Sequence, residues 1–411
     1  MVITKENQPF NDLFFLKIFA VLMALLAVFY PATSRASSFR HMLMEDGLVS
    51  NTITCIATDK TGNVWVGTID GIARYNNNGW EKFTVENGCL KDNAIWAIGV
   101  DEGKSYSKIW FGTGFGLAVF ENNHWTHYVG AYENQKTKKR EEGNCPVESN
   151  VINKIFVSKN TAAQDKNIIY VVAGGKLYKF NGEKWSTFDF PKDILKTSSI
   201  TSISSKGDDT LWLGTSGQGL LEFNIGQMKL TTYTKKEGIP SDYVTALYAS
   251  PEGKVYIGTE NGLGIMERGN CAVFNYRNSK LVSDYITAIQ SGVFGNIAIA
   301  TDKGLNMYDG KDFMPLPANL SVLNGQVVWS MALSSLPGND YSQFWIGTRG
   351  TGAYLYQVSK DAKANVQEDQ TRTGMRTFNE KKYEESLAAW EEVLKVDEKN
   401  RIIFSAARRN A

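Results

Sequence analysis

One phrase returns along the chain and limits what it can fold into. It reads aromatic, aliphatic, Gly-Thr, then a second Gly after a short gap. The clearest copy is Trp65-Val66-Gly67-Thr68-Ile69-Asp70-Gly71. Further copies are Trp110-Phe111-Gly112-Thr113 with Gly116, Trp212-Leu213-Gly214-Thr215 with Gly219, Tyr256-Ile257-Gly258-Thr259 with Gly262, and Trp345-Ile346-Gly347-Thr348 with Gly352. Two worn copies fill the gaps, Tyr170-Val171-Val172-Ala173 with Gly175 and Ala298-Ile299-Ala300-Thr301 with Gly304. The starting positions are separated by 45, 60, 42, 44, 42 and 47 residues. Self-similarity at this period means a repeat architecture.

Each copy sits in a longer unit. A turn and a short apolar strand precede it, as in Gly47-Leu48-Val49-Ser50-Asn51 followed by Ile53 to Asp59. After the second Gly come a third strand (Ile72 to Tyr75), a polar turn and a fourth strand (Trp80 to Thr84). Short apolar or alternating strands between Gly, Asn and Asp turns mark an all-β chain. Four strands repeated seven times predict a seven-bladed β-propeller of antiparallel blades. The phrase suits that geometry: the aromatic forms a plate between blades, and Gly allows close backbone approach and a turn with positive φ. The phrase is therefore read as framework.

The units resemble the two-component regulator propeller family. Its repeat reads as a Gly-Leu-x-Ser-Asn turn, a strand ending in Asp, then Gly-Asn-x-Trp-x-Gly-Thr and a Gly-Leu strand. Residues 47–75 match nearly throughout, and the resemblance extends over about 39–358. The third and sixth units lack Trp-x-Gly-Thr. The hallmarks of WD40 and kelch repeats do not recur. The resemblance implies a bacterial source and a sensor-like domain of the kind that precedes a membrane span and kinase. This chain shows no ATP module or phosphoacceptor, so any signal would pass through a partner.

The 411 residues suffice for one propeller, expected at 37–358, and a small extra module. Lys and Arg number 44 against 43 Asp and Glu, which gives no bulk attraction for nucleic acid. Residues 1–36 read as an export signal: Lys17 precedes the apolar run Ile18 to Tyr30, and Ser34-Arg35-Ala36 offers a cleavage site. The run is short for a membrane span, which needs about 20 residues; an uncleaved anchor is the alternative, and the only route to membrane contact. Export places the chain in the periplasm or outside the cell.

The last unit runs short of strands after Tyr356, while residues 39–44 stand alone before the first turn. They are expected to supply the outer strand of blade 7 and close the ring. The insertion Gly130 to Asn144 reads as a mobile solvated loop or a lid over the binding face. Residues 359–373 form a polar linker. In 374–411 the period becomes helical, and Tyr383, Trp390 and Leu394 fit a tetratricopeptide-like hairpin. One such repeat cannot bury its own face. It is expected to bind a partner or to cap the propeller.

Catalytic signals are sparse. His41 falls in the closing strand, and His124 and His127 in the outer strand of blade 2; no metal set, catalytic triad or cofactor motif accompanies them. Cys55 reads as a buried thiol. Cys89 and Cys145 occupy equivalent turns, where oxidising conditions would pair them if their Cα atoms came within about 7 Å. If the Ile53 strand is innermost, the inter-blade turns and the loops between strands two and three share one face. That face presents Asp70, Phe115, Gln218, Glu260, Asn261, Asp302, Lys303 and Arg349, which differ from blade to blade on a repeating scaffold. Asn51, Asn93, Asn150, Asp242 and Asp284 read as turn residues. The expected function is non-enzymatic recognition of a small ligand or glycan. A scaffold holding an envelope protein through the tail is the alternative, and a propeller lyase or hydrolase a third.

Overall fold

A computed structural model describes residues 38–359 apart from 77, 104–105, 159–166, 189, 191–197, 207–208, 315 and 335–340. The expected leader at 1–36 and the linker and helical tail at 359–411, with Tyr383, Trp390 and Leu394, lie outside the described residues, save Ser359 itself. Seven four-stranded antiparallel sheets and one two-stranded hairpin account for the strands. Blade 1 comprises Ile53–Thr58, Val64–Thr68, Ile72–Asn76 and Gly79–Phe83, paired in chain order. Blades 3 and 6 are complete although their phrases are worn; the fourth strand of blade 6 shrinks to Phe313–Met314.

The first strands of the blades open at Ile53, Ile95, Ile152, Ile200, Val244, Ile286 and Val328. Each lies beside the next, and Val328–Ser334 returns to Ile53–Thr58, so they surround a central channel. The ring closes as expected. Ser38–Met42 pairs antiparallel with Ala353–Ser359, from Ser38 opposite Gln357 to Met42 opposite Ala353. Ser38 Oγ donates to Gln357 Oε1 at 2.8 Å, and the His41 ring stacks on Tyr354 at 4.3 Å. Covering the outer edge of blade 7 this way removes an unpaired row of backbone groups.

The core divides into seven buried clusters, one at each inter-blade seam. The plate of each phrase lies in the seam that follows its blade. Trp65 packs with Phe83, Phe111 and Phe120 between blades 1 and 2. Trp110, Tyr170, Trp212, Tyr256 and Trp345 take the same place in later seams. In blade 6 Ala298 stands there, and Met307, Phe344, Tyr354 and Tyr356 fill the space. Trp65 Nε1 donates to Asp59 Oδ2 at 3.0 Å, whereas the indole N–H groups of Trp110, Trp212 and Trp345 are buried without a partner. Their apolar area, not their polar handle, is what the seam uses.

The Gly of Gly-Thr meets the opening aliphatic of the next blade. A Cβ on Gly258 would stand 2.6 Å from Ile286 Cγ2, and one on Gly347 2.5 Å from Ile53 Cγ2. Gly67, Gly112 and Gly214 are equally close to Ile95, Ile152 and Val244.

One open reading is resolved and one expectation changes. All four cysteines are free, and Cys89 packs in the seam between blades 1 and 2 while Cys145 packs in the next one. Each thiol serves its own seam, so no disulfide joins them. The insertion at 130–144 is also not irregular: Tyr132–Glu133 pairs with Arg140–Glu141. Asn134 Oδ1 accepts from Lys136 N at 3.0 Å and Thr137 N at 3.2 Å, which folds the chain back on itself.

Two outcomes test this architecture. Deleting residues 38–42 should lower the melting temperature of the whole propeller in one transition; an unchanged melt would show that closure is dispensable. Gly258→Ala should destabilise by about 1–3 kcal/mol in denaturant titrations, the usual cost of overpacking a filled interior.

Candidate ligand-binding face

The face is built on a repeated threonine lock. In six blades the Thr hydroxyl donates to the carbonyl of the second Gly: Thr68, Thr113, Thr215, Thr259, Thr301 and Thr348, at 2.7–3.0 Å. These threonines are almost wholly buried. In five of them the same oxygen accepts the backbone N–H of a candidate residue: Asp70, Phe115, Gln218, Asn261 or Lys303, at 2.8–3.1 Å. A buried hydroxyl that both donates and accepts fixes the turn, while the side chain above it is free to vary.

A second lock ties blade to blade. The second Gly N–H donates to the inter-blade turn: Gly116 to Asn150 O, Gly219 to Asp242 O, Gly262 to Asp284 O and Gly352 to Asn51 O. The side chains of the turn residues are engaged by backbone. Asn51, Asn93, Asn150, Asp242 and Asp284 each accept through Oδ1 from a backbone N–H at 2.8–2.9 Å. The inter-blade turns and the loops between strands two and three therefore share one face, as the strand order requires.

The channel mouth has a feature that the sequence reading missed. Every first strand carries a β-bulge one residue after its opening aliphatic. The inserted residues are Thr54, Trp96, Asn153, Thr201, Thr245, Thr287 and Trp329. Thr54, Thr201 and Thr287 donate to the opening carbonyl of the following blade, at Ile95, Val244 and Val328. Bulges re-aim side chains, and two of them bring indoles to the mouth. The signal for them was the residue after each opening aliphatic, a position without a constant type.

Below the bulges each blade contributes one residue: Cys55, Ala97, Lys154 and Ser202, then Ala246, Ala288 and Ser330. All seven line an axial cavity of about 230 Å³, with Trp96, Trp329 and Gln290 also on its wall. Lys154 is exposed to the channel but ringed by protein, and this desolvation draws its amine below the ordinary lysine range. Burial pushes the Cys55 thiol up to about 12, against the opposing pull of Thr54 and Lys154.

The candidate residues fall into separate groups on this face. Phe115 meets Tyr132 of the inserted hairpin, ring centroids 4.9 Å apart, so the insertion leans on blade 2. Glu260 accepts from Ser241 Oγ at 3.1 Å. Near it stand Tyr243, Tyr285 and Asp302; burial first, then Tyr243, Glu260 and Asp302, raises the Tyr285 phenol above its usual range. One Asp302 carboxylate oxygen is buried without a partner. The Arg349 guanidinium lies 4.9 Å from the centre of the Trp329 ring, a cation–π contact. Trp96, Tyr243 and Tyr285 are 39%, 38% and 42% exposed, large for aromatic residues in a β-protein. Asp70, Gln218, Asn261 and Lys303 are set on the same tier of turns, in blades 1, 4, 5 and 6.

The histidines stand away from the mouth, in fourth strands. His127 Nε2 lies 3.1 Å from the Cys89 carbonyl, and burial holds its pKa below the usual value. Among the described residues no group of three His, Cys, Asp or Glu side chains is arranged to hold a metal.

The fold defines a seven-bladed β-propeller with an open channel mouth rich in aromatic residues. The family described as Two component regulator propeller matches it over residues 47–70. A stretch of 103 residues is 31% identical to Histidine kinase P4 of Formosa agariphila, covering 23% of this chain and 7% of that protein. Among solved structures, the extracellular domain of the hybrid two component system BT3049 from B. thetaiotaomicron superposes with a TM-score of 0.61 at 18% identity, over 78% of this chain and 42% of that one. Virginiamycin B lyase from Staphylococcus aureus superposes with a TM-score of 0.55 at 11% identity, over 79% of this chain and 100% of that one. At these identities both likenesses speak for the fold. The chain spans only a small part of the kinase and under half of the BT3049 domain.

Removing a lock tests the scaffold. Thr259→Val should cost about 1–3 kcal/mol, because the Asn261 N–H and Gly262 carbonyl lose their buried partner. Chemical denaturation reads the loss, and hydrogen exchange at Asn261 should accelerate.

Proposed function

We propose that this chain is an exported, non-enzymatic recognition propeller of sensor type, taking a small ligand or glycan at the channel mouth. One observation carries the reading: exposed aromatic plates and varied polar side chains converge on turns locked by buried threonines. Rigid aromatic rings offer large contact area at little conformational cost. Recognition sites combine such surfaces with a few fixed polar groups. Trp329 with Arg349, Trp96, and the Tyr243–Tyr285 pair beside Glu260 and Asp302 meet that description.

The matched profile and the kinase relative support a signalling role, with the message passed through another protein. The kinase activity belongs to that relative. Export rests on the leader at 1–36 and is consistent with the extracellular origin of the BT3049 domain. The helical pattern at 374–411 is the proposed partner-binding module, and a scaffold role would use it through Tyr383, Trp390 and Leu394.

A lyase role has less support. Replacing one histidine by alanine gives a catalytically inactive form of the S. aureus lyase. All three histidines here lie in outer strands, away from the channel mouth.

The test is a thermal-shift and calorimetric screen of neutral and acidic oligosaccharides on the full chain. Trp329→Ala and Trp96→Ala should each weaken a bound glycan about tenfold or more, ~1.4 kcal/mol, without lowering the melting temperature of the free protein. If neither variant changes binding, the mouth is not the recognition site.

A further inference from the structure

The axial cavity holds one charge with no counterpart. Among the described residues Lys154 is the only ionisable side chain on its wall apart from the Cys55 thiol. Its neighbours at the same level in the other blades are all Ala, Ser or Cys. The repeat at this level calls for a small residue, and packing gives no reason for lysine. Among the described residues no carboxylate compensates it; the one titratable group that acts on its amine is the Cys55 thiol, which is held neutral. An unpaired cation facing a channel walled by protein focuses its field along that channel towards anions. Small neighbours leave room beside the amine, and Trp96 and Trp329 give the upper wall an apolar surface.

We propose that this cavity is a subsite for a small organic carboxylate, with the Lys154 ammonium as its charge partner and its carbon skeleton against the indoles. The volume of about 230 Å³ lies below the usual span of ligand pockets, roughly 300–1,000 Å³, so the occupant is no larger than a monosaccharide. A sugar acid and a simple carboxylic acid share this chemistry. The proposal deepens the recognition reading above, yet it is separable from it, because rim stacking needs no charge and the axial subsite does.

The amine also sets a pH dependence. Burial lowers its pKa from the ordinary lysine value of 10.5, so the charged form is complete well below that pKa and disappears as pH rises through it. Carboxylate affinity should therefore fall with rising pH earlier than an exposed lysine would dictate. Binding in turn stabilises the ammonium and raises its pKa.

The experiment is calorimetry on the full chain with glucuronate, benzoate and neutral glucose, using wild type, Lys154→Arg and Lys154→Met. Glucuronate or benzoate should bind wild type and Lys154→Arg, and weaken at least tenfold in Lys154→Met, while glucose does not distinguish the three. Which of the two acids binds separates a sugar acid from a simple carboxylic acid. Lys154→Met should also melt higher than wild type, since it removes an uncompensated charge. Equal carboxylate binding in Lys154→Met, binding by neither acid, or a lower melting temperature in that variant would each overturn the proposal. Neutral glycan binding that depends on Trp329 but not on Lys154 would leave the rim reading intact and remove only the subsite. Lys154-dependent carboxylate binding without glycan binding would do the reverse.

Discussion

The close approach of each blade to the next governs this structure. The aliphatic residue that opens one blade lands where the preceding blade has a Gly without a side chain, at five of the seven seams. Once that distance is set, the aromatic plate beside the Gly is enclosed, the seam fills, and the following Thr is buried with its hydroxyl on the carbonyl of the second Gly. The two exceptions adjust in kind. Val172 and Ala300 occupy the Gly place in blades 3 and 6, and their seams are repacked with Ile200 or with Phe344 and Tyr356.

This separates what is constant from what varies. Framework groups turn inward: Thr to the Gly carbonyl, Asn or Asp to its own turn, Trp to the seam. Side chains over the Thr lock make no such contribution, and neither do the bulge indoles; three bulge threonines, Thr54, Thr201 and Thr287, do tie their blade to the next. A propeller with these locks can alter its recognition chemistry one blade at a time, since near neighbours in the sheet do not depend on the variable side chains.

The blade count, strand order, seam plates and closing strand were legible in the sequence because each has a fixed residue type at a fixed interval. The turn residues of the face were legible for the same reason, through Thr and the second Gly. The bulges were not. The inserted residue is Thr in four blades, Asn in one and Trp in two, and nothing in composition reveals that it is unpaired. Nothing in the repeat pattern therefore singles out Trp96, Trp329 or Lys154. The hairpin at 132–141 was hidden by its charges, since its fold depends on one Asn that closes the turn rather than on an apolar pattern. The fate of Cys89 and Cys145 depended on which seam each thiol enters, which spacing alone does not disclose.

The closing strand also has a kinetic side. Ser38 and its partner Gln357 are 319 residues apart in the chain, and every blade lies between them. During synthesis the N-terminal strand emerges first and waits, unpaired, until the last blade exists to receive it. Pairing over this separation is non-local, which slows the folding of the closed ring. A chain stopped anywhere before Ala353 has no edge on which Ser38–Met42 can dock, so incomplete products leave two open sheet edges for quality control or aggregation to find.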